Sequence, residues 1–480
     1  MSAPSTNPAN TRRERYQAYL NGQEISFGTT LVAKYDRPGP RYTSYPTAPQ
    51  WHEVIDTAAM HRVLAESNPQ QRPLSLYVHI PFCEEHCTFC GCNTIITRKK
   101  TVADPYVDAV ALELAHLARH LDTSRPVTQL HWGGGTPTYL TCAEIERLWG
   151  SIVAHFHCAA DAEIGIEVDP RVTTPAQLET LRRLGFNRLS MGVQDLHPMV
   201  QQAIHRIQPR EQTERIILAA RQLGFASINV DLIYGLPHQT PGSFAETVDS
   251  IIAFSPDRVA CYNFAFVPWL KAQQRAIDPS TLPPPETKLA VLCNTITRFC
   301  RAGYEMIGFD HFARHDDELS LALRERTLWR NFQGYSTKGG TDLIGCGITA
   351  ISDINGHYIQ NGKKLTTYQQ ALAAGALPVE RGCHLSGDDR IRRHVIRELL
   401  CNGHLDGGRL RDQFGIELRT YFASELAALG PMMEDGLITI ASDSLTLTPL
   451  GRLFARNIAM RFDAYLDRDL AQQQRYSRTV

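Results

Sequence analysis

From residue 75 onward the chain settles into a rhythm. Short runs rich in β-branched and aromatic residues, SLYVHIP (75–81), VTQLHWGG (127–134), AEIGIEVDP (162–170), RLSMGVQ (188–194), INVDLIYG (228–235) and RVACYNFAF (258–266), alternate with amphipathic stretches such as DPYVDAVALELAHLARHL (104–121) and PAQLETLRRLGF (175–186). A strand every ~25–50 residues with a helix in each gap is the pattern of βαβ units and predicts a parallel sheet. Six such units by residue 266 predict an α/β fold, a partial (β/α)6-type barrel with an extended sheet. Its functional groups should lie at the C-terminal ends of the strands. Those ends carry HIPFC, GGGTPT, EVDP, GVQD and DLIYGLP, polar or glycine-rich motifs that a purely structural barrel does not need.

The rhythm changes on both sides of this region. Residues 1–35 are polar and expected to be ordered only in part. GPRYTSYPTAPQW (39–51) reads as an irregular, extended segment. After the proline-rich break TLPPPETK (281–288) come a helix (288–303), a strand (304–313) and a loop-rich stretch, NFQGYSTKGGTDLIGCGITAIS (331–352). From about 380, three amphipathic helical stretches (388–402, 418–436 and 449–466) and the hairpin ITIASDSLTLTP (438–449) predict a mainly helical, winged-helix-like C-terminal domain. The expected division is an N-terminal extension (1–74), the barrel with its sheet extension (75–375) and the C-terminal domain (376–480).

Composition narrows the setting. Hydrophobic residues make up 43% and charged residues 21%, as in ordinary globular proteins. Lys+Arg (49) and Asp+Glu (50) nearly cancel, so there is no basic excess for nucleic acid, and no basic recognition helix stands out. No run approaches a membrane span, and the polar N-terminus has no apolar leader segment. A soluble cytoplasmic protein is expected, and a monomer.

Cysteine usage carries the chemistry. Eight of the 12 cysteines are scattered and read as small buried hydrophobes. The other four crowd into CEEHCTFCGC, where Cys83, Cys87 and Cys90 are spaced C-x3-C-x2-C and Cys92 follows. Soft thiolates favour iron–sulfur clusters or zinc. A structural zinc site usually closes with four ligands, often as two separated pairs, and here the second pair is missing. Three thiolates on one loop suit a [4Fe–4S] cluster whose fourth iron stays open, although Cys92 as a fourth ligand is an alternative. Gly133, Gly134 and Gly135, followed by Thr136, form a turn in which a ligand could reach bare backbone. A tight turn with no ligand is the plain alternative, and the P-loop and GxGxxG patterns are absent. Glu167 at a strand end, Gln194 and Arg206 are weak signals singly. Asp231 inside an apolar strand stands out more, because an unpartnered buried carboxylate is costly.

The C-x3-C-x2-C loop, with aromatic Phe89 before its last cysteine and GGGTPT two elements later, resembles the radical S-adenosylmethionine superfamily. The segments GPRYTSYPTA, SLYVHIPFC, CTFCGCN, LHWGGGTPTYL, IEVDPR, NRLSMGVQD, DLIYGLPHQT, GFDHFA, NFQGYSTKGGTDLIGCGITAIS and GRLFARNIAMRFDAYL are similar to the oxygen-independent coproporphyrinogen III oxidases over roughly residues 30–480. The resemblance implies that Cys83, Cys87 and Cys90 hold a [4Fe–4S] cluster. It implies a first S-adenosylmethionine contacted by Tyr77, Gly134, Glu167 and Ile351. A second molecule is contacted by Phe89, Gly135, Thr136, Gln194, Arg206, Asp231 and Ala265. The implied reaction removes two propionate carboxylates of coproporphyrinogen III as CO2 and leaves vinyl groups. The propionate β-carbon is too weakly acidic for a general base, so a 5′-deoxyadenosyl radical abstracts its hydrogen. An unidentified one-electron donor and a terminal acceptor are further expected partners. Arg41, Tyr42 and Thr43 are candidate contacts to the four substrate carboxylates. A haem-binding chaperone on the same scaffold, or a radical enzyme with another substrate, are the competing readings.

Overall fold

The computed structural model describes residues 15–466 together with Tyr476, Arg478 and Thr479. It begins with an antiparallel hairpin, β1 (Arg15–Leu20) and β2 (Gln23–Gly28), followed by α1 (Thr29–Tyr35). Residues 15–35 of the segment expected to be ordered in part form regular structure, and residues 1–14 lie outside the described residues. Only one face of the hairpin is apolar, so the segment reads as polar overall. That face buries Tyr16, Ala18, Leu20, Ile25 and Phe27 in the main core. An irregular stretch leads to the two-residue edge strand β3 (Glu53–Val54) and α2 (Thr57–Ser67), capped by Asp56 accepting from the Ala59 N–H.

The predicted alternation then appears as β4 (Leu74–Ile80), α3 (Ala103–Ala118), β5 (Val127–Gly134), α4 (Cys142–Val153), β6 (Cys158–Val168), α5 (Pro175–Arg183), β7 (Arg188–Gln194), α6 (Arg210–Gln222), β8 (Ser227–Tyr234), α7 (Pro241–Phe254) and β9 (Arg258–Asn263). Helices α4, α5 and α7 start with capping boxes built on Thr141, Thr174 and Thr240. Strands β4 to β9 pair in parallel in sequence order, as a six-unit partial barrel requires.

Beyond β9 the chain extends the sheet on both edges. Helix α8 (Pro285–Arg301) packs on the β1–β2 hairpin, and β10 (Tyr304–Ile307) and β11 (His311–Arg314) form a hairpin beside β9. The sequence suggests one strand here. Gly308, with φ +60, turns the chain where an added Cβ would strike the Tyr335 hydroxyl. A second hairpin, β12 (Trp329–Asn331) and β13 (Gly334–Ser336), precedes β14 (Asp342–Cys346), β15 (Ile351–Ile354), β16 (His357–Asn361) and β17 (Val379–His384). The sheet order is β10-β11-β9-β8-β7-β6-β5-β4-β14-β15-β16-β17-β3.

The stretch read as loop-rich therefore supplies a central strand. β14 is buried along its whole length and pairs in parallel with β4. Its glycine misled the reading: a Cβ on Gly345 would lie 2.5 Å from the Ile351 carbonyl oxygen, so close approach of β15 demands glycine.

The C-terminal part has its own core around α9 (Gly387–Cys401) and a three-stranded sheet of β18 (His404–Asp406), β19 (Ile438–Ile440) and β20 (Ser444–Leu447). Residues 418–436, which read as one helix, break into Leu418–Tyr421, Ala423–Ala428 and Gly430–Glu434. Gly430–Pro431 opens the last piece, because proline disfavours helical backbone before it. Among the described residues no helix is long and apolar enough to cross a membrane.

One buried acid locks the end of β14. Glu113 of α3 accepts from the Gly347 N–H (2.7 Å), the Asn361 amide (2.6 Å) and the Tyr368 hydroxyl (2.5 Å). Burial pushes its carboxyl up to about 7 against the pull of these donors. A folded-state value above the unfolded one favours the folded protein at low pH, and that advantage is lost as pH rises through 7. The expected size is about 3 kcal/mol between pH 4.5 and 8. Thermal melting across this range should show wild-type stability falling with pH relative to Glu113→Gln.

Candidate active site at the barrel mouth

The C-terminal ends of β4 to β8 surround a cavity of about 400 Å³. After β4, Phe82 and Cys83 pair in parallel with Ile95 and Ile96, and this pairing closes the cysteine loop on itself. Cys83, Cys87, Cys90 and Cys92 all line the cavity. The Cys83 sulfur lies 3.4 Å from the Thr136 hydroxyl, and burial pushes its thiol up to about 11. The Cys87 sulfur accepts from Arg171 at 3.7 Å and Arg206 at 3.8 Å. The Cys90 sulfur accepts the Cys92 N–H at 3.4 Å. The hydrogen bond from the Cys92 thiol, aided by nearby Lys271 and Arg206, holds the Cys90 thiol below its ordinary range. Cys92 is exposed.

The glycines after β5 leave backbone bare by necessity. A Cβ on Gly133 would meet the Glu167 carboxylate at 2.9 Å, one on Gly134 (φ +116) the His79 ring at 2.5 Å, and one on Gly135 the Pro81 carbonyl at 2.7 Å. The Gly134 N–H donates to Glu167 Oε2 at 2.9 Å, and His131 Nε2 stands 3.6 Å from the other oxygen. Packing around Glu167 works to raise its carboxyl, but His131 and the Gly134 N–H outweigh it and keep the group below the usual range. Gly135→Ala should abolish cofactor cleavage, since the backbone of Pro81 cannot yield. Anaerobic assay of 5′-deoxyadenosine, beside a melting curve showing a folded protein, checks it.

On the far wall Asp169 bridges two guanidiniums, Arg171 at 2.7 Å and Arg206 at 3.2 Å. Burial would raise its carboxyl, but Arg206 and Arg171 hold it at about 2. Arg206 Nη2 also donates to the Gly192 carbonyl at 2.6 Å. Two buried polar atoms here have no partner among the described residues: Gln194 Oε1, on a backbone with φ +69, and Arg206 Nε. Native interiors satisfy such atoms with protein groups, water or a ligand, and these two lie in the cavity's far wall. Asp231 faces this cavity from β8 rather than standing alone in the core. Burial and Glu167 raise its carboxyl to about 6, opposed by the Asn229 amide at 2.7 Å.

The structure thus gathers Cys83, Cys87, Phe89, Cys90, Gly134, Gly135, Thr136, Glu167, Gln194, Arg206 and Asp231 around one cavity. Other candidates stand outside its lining. Tyr77 is one layer back, with its hydroxyl 3.0 Å from His79 Nδ1 and its ring stacked on His131. The Ala265 carbonyl accepts from Gln274 at 3.0 Å. Gln274 also donates to the Phe89 carbonyl at 3.2 Å, so the 265–274 segment fastens the cysteine loop through backbone. Ile351 starts β15 and packs with Trp51, Tyr358 and Leu385. Arg41 donates to the Asn263 carbonyl at the end of β9, with its guanidinium 5.9 Å from the Tyr262 ring. The structure gives Tyr42 a different task from the expected carboxylate contact: it is buried, and its hydroxyl donates to Asp463 at 2.9 Å. Thr43 is exposed.

Sequence reasoning missed Asp169, Arg171 and His131. IEVDPR was visible as a motif, but the pairing of its Asp169 with Arg206, 37 positions on, is legible only in the fold.

Comparison with known proteins bears on the whole chain. The family model described as the radical SAM superfamily matches residues 77–251, and the one described as the HemN C-terminal domain matches residues 385–454. The chain is 48% identical over 461 residues to the oxygen-independent coproporphyrinogen III oxidase of Salmonella typhimurium, covering 96% of this chain and 100% of that one. It is 46% identical to that of Synechocystis, covering 95% and 98%. Among solved structures it is similar to the coproporphyrinogen III oxidase of Escherichia coli, described as a radical SAM enzyme. That match has a TM-score of 0.88 at 47% identity and covers 92% of this chain and 100% of that one.

Proposed function

The chain belongs to the oxygen-independent coproporphyrinogen III oxidases of the radical S-adenosylmethionine superfamily, and from that premise we propose how its own residues carry the reaction. The enzyme oxidatively decarboxylates two propionates of coproporphyrinogen III to vinyl groups, forming protoporphyrinogen IX and two CO2 in haem biosynthesis. When bound, the reduced [4Fe–4S] cluster and S-adenosylmethionine supply one-electron, hydrogen-abstracting chemistry, which an unactivated β-carbon requires.

Cys83, Cys87 and Cys90 would hold the cluster. The donor set fits it: three soft sulfurs on one short loop, that of Cys87 beside the guanidiniums of Arg171 and Arg206. Cys92, exposed and bonded through its backbone to the Cys90 sulfur, serves as a support rather than a ligand. Gly134 and Glu167 would receive the amino-acid and ribose ends of the first S-adenosylmethionine. Tyr77 would act from behind through His79 and His131, and Ile351 from the β15 side. Phe89, Gly135, Thr136, Gln194, Arg206, Asp231 and Ala265 would form the second cofactor site. The observation that carries this reading is the shared cavity itself, which joins the thiols, a glycine turn with no room for side chains, and two orphaned buried polar atoms.

The other residues orient and shield. Gln273, Gln274 and Lys271 donate to the carbonyls of Cys90 (2.5 Å), Phe89 (3.2 Å) and Gly91 (2.5 Å), so the loop after β9 seats the cysteine loop and covers it against water. A one-electron donor and a terminal acceptor complete the system. The test is anaerobic incubation of reconstituted enzyme with reductant, S-adenosylmethionine and coproporphyrinogen III, with porphyrins followed by chromatography. Protoporphyrinogen IX is expected. Stoichiometric haem binding with no conversion would favour the chaperone reading instead.

A further inference from the structure

Away from the thiols, three arginines line a small cleft of about 30 Å³ between the 42–45 segment, β12 and α9. Their charges are compensated unequally. Arg393 is satisfied: it forms a two-pronged pair with Asp353. Arg330 and Arg397 are paired more loosely, although Arg330 donates to the Arg41 carbonyl at 3.0 Å and Arg397 Nη2 lies 3.0 Å from His394 Nδ1. The side chain of Arg330 is 7% exposed, and the nearest carboxylate oxygen, on Asp310, is 3.5 Å away. The other Asp310 oxygen is taken by His311 at 2.6 Å. Arg397 has its guanidinium 3.5 Å from the Trp329 ring centre and reaches Glu398 only at 3.6 Å, while Glu398 also accepts from Asn402. The Nε of both arginines is buried with no acceptor among the described residues. Each of these buried guanidiniums thus keeps its carboxylate only at 3.5–3.6 Å, a loose pairing for a group so enclosed, and the cleft lining carries three arginines against the single carboxylate of Asp353.

The cleft and the barrel interior share a wall. Asn331 borders both the cleft and the lumen, and the lumen shares Glu167, Ser190 and Asp231 with the thiol cavity. Its size suits a carboxylate head and little more. The cleft does not border the thiols, so a group seated there is not the one that reacts. We propose that Arg330 and Arg397 form a subsite for a propionate carboxylate that the substrate keeps, with Thr43 at its exposed rim. This rests on the reading of the chain as a coproporphyrinogen III oxidase. Planar guanidinium suits such a site because it binds carboxylate in two-pronged fashion.

The experiment is fluorescence titration of the full-length protein with coproporphyrin III, which has four propionates, and protoporphyrin IX, which has only the two that are kept. The dimethyl ester of protoporphyrin IX serves as the uncharged control. Arg397→Gln should weaken binding of both acids roughly ten- to a hundredfold and leave the ester unaffected. Thr43→Glu, on an exposed position that tolerates substitution, should do the same by placing a competing carboxylate at the rim. It keeps the test open if Arg397→Gln fails to fold. Unchanged binding of both acids to the folded variants, while the wild type converts coproporphyrinogen III, overturns the subsite and leaves the function standing. Weakened coproporphyrin III with unchanged protoporphyrin IX assigns the cleft to a reacting propionate and also overturns it. A wild type that does not convert coproporphyrinogen III removes the reading on which the subsite rests.

Discussion

Cys87→Ser is expected to leave a folded protein with no turnover. The sulfur of Cys87 is the most enclosed of the three, 8% exposed and held between the guanidiniums of Arg171 and Arg206. Serine keeps the shape but replaces a soft sulfur with a hard hydroxyl, a poor donor to iron. Anaerobic reconstitution should give a sharply reduced iron content, and 5′-deoxyadenosine formation should fall to background. The melting midpoint of the unloaded protein should stay near that of the wild type, because the loop contributes little to the core. Full turnover in this variant would remove Cys87 from the ligand set.

The second large effect is on stability. Arg125 and Asp342 form an ion pair with side chains 0% and 1% exposed, and Arg125 also donates to the Arg72 carbonyl at 2.7 Å and the Ser67 hydroxyl at 3.1 Å. Asp342 opens β14, so the pair fixes the strand beside β4, the strand that leads into Cys83. Asp342→Leu leaves a buried guanidinium without its anion and should cost about 3–5 kcal/mol. Replacing both partners, with Arg125→Met added, should recover most of the loss. Denaturant unfolding of the single and double variants measures this coupling. A double-variant loss equal to the sum of the Asp342→Leu and Arg125→Met single losses would show that the pair contributes nothing as a pair.

What the sequence made legible follows from how local each signal is. Strands β4 to β9 announce themselves because each is a short run rich in β-branched and aromatic residues, and β4 to β8 each lead to a helix before the next. The cysteine loop and the glycine turn are contiguous, so their chemistry can be read without a fold. β14 escaped because DLIGC is short and its glycine is required by a strand nine residues away from its start. The Asp169–Arg206 bridge and the stacking of Tyr77 on His131 escaped because they join residues from different strand ends. Arg41, Tyr42 and Thr43 are adjacent in sequence yet point to three environments. The chemistry of a substrate with four carboxylates grouped them, and only the fold separates the arginine at β9, the tyrosine bound to Asp463 and the exposed threonine.

The central claim is that this cavity removes a hydrogen atom from the propionate β-carbon of coproporphyrinogen III. Substrate deuterated at those carbons tests it most directly, with deuterium followed by mass detection under anaerobic turnover. The account expects deuterium in 5′-deoxyadenosine, with two 5′-deoxyadenosines formed per protoporphyrinogen IX. Deuterium released to solvent, with 5′-deoxyadenosine unlabelled, would contradict it.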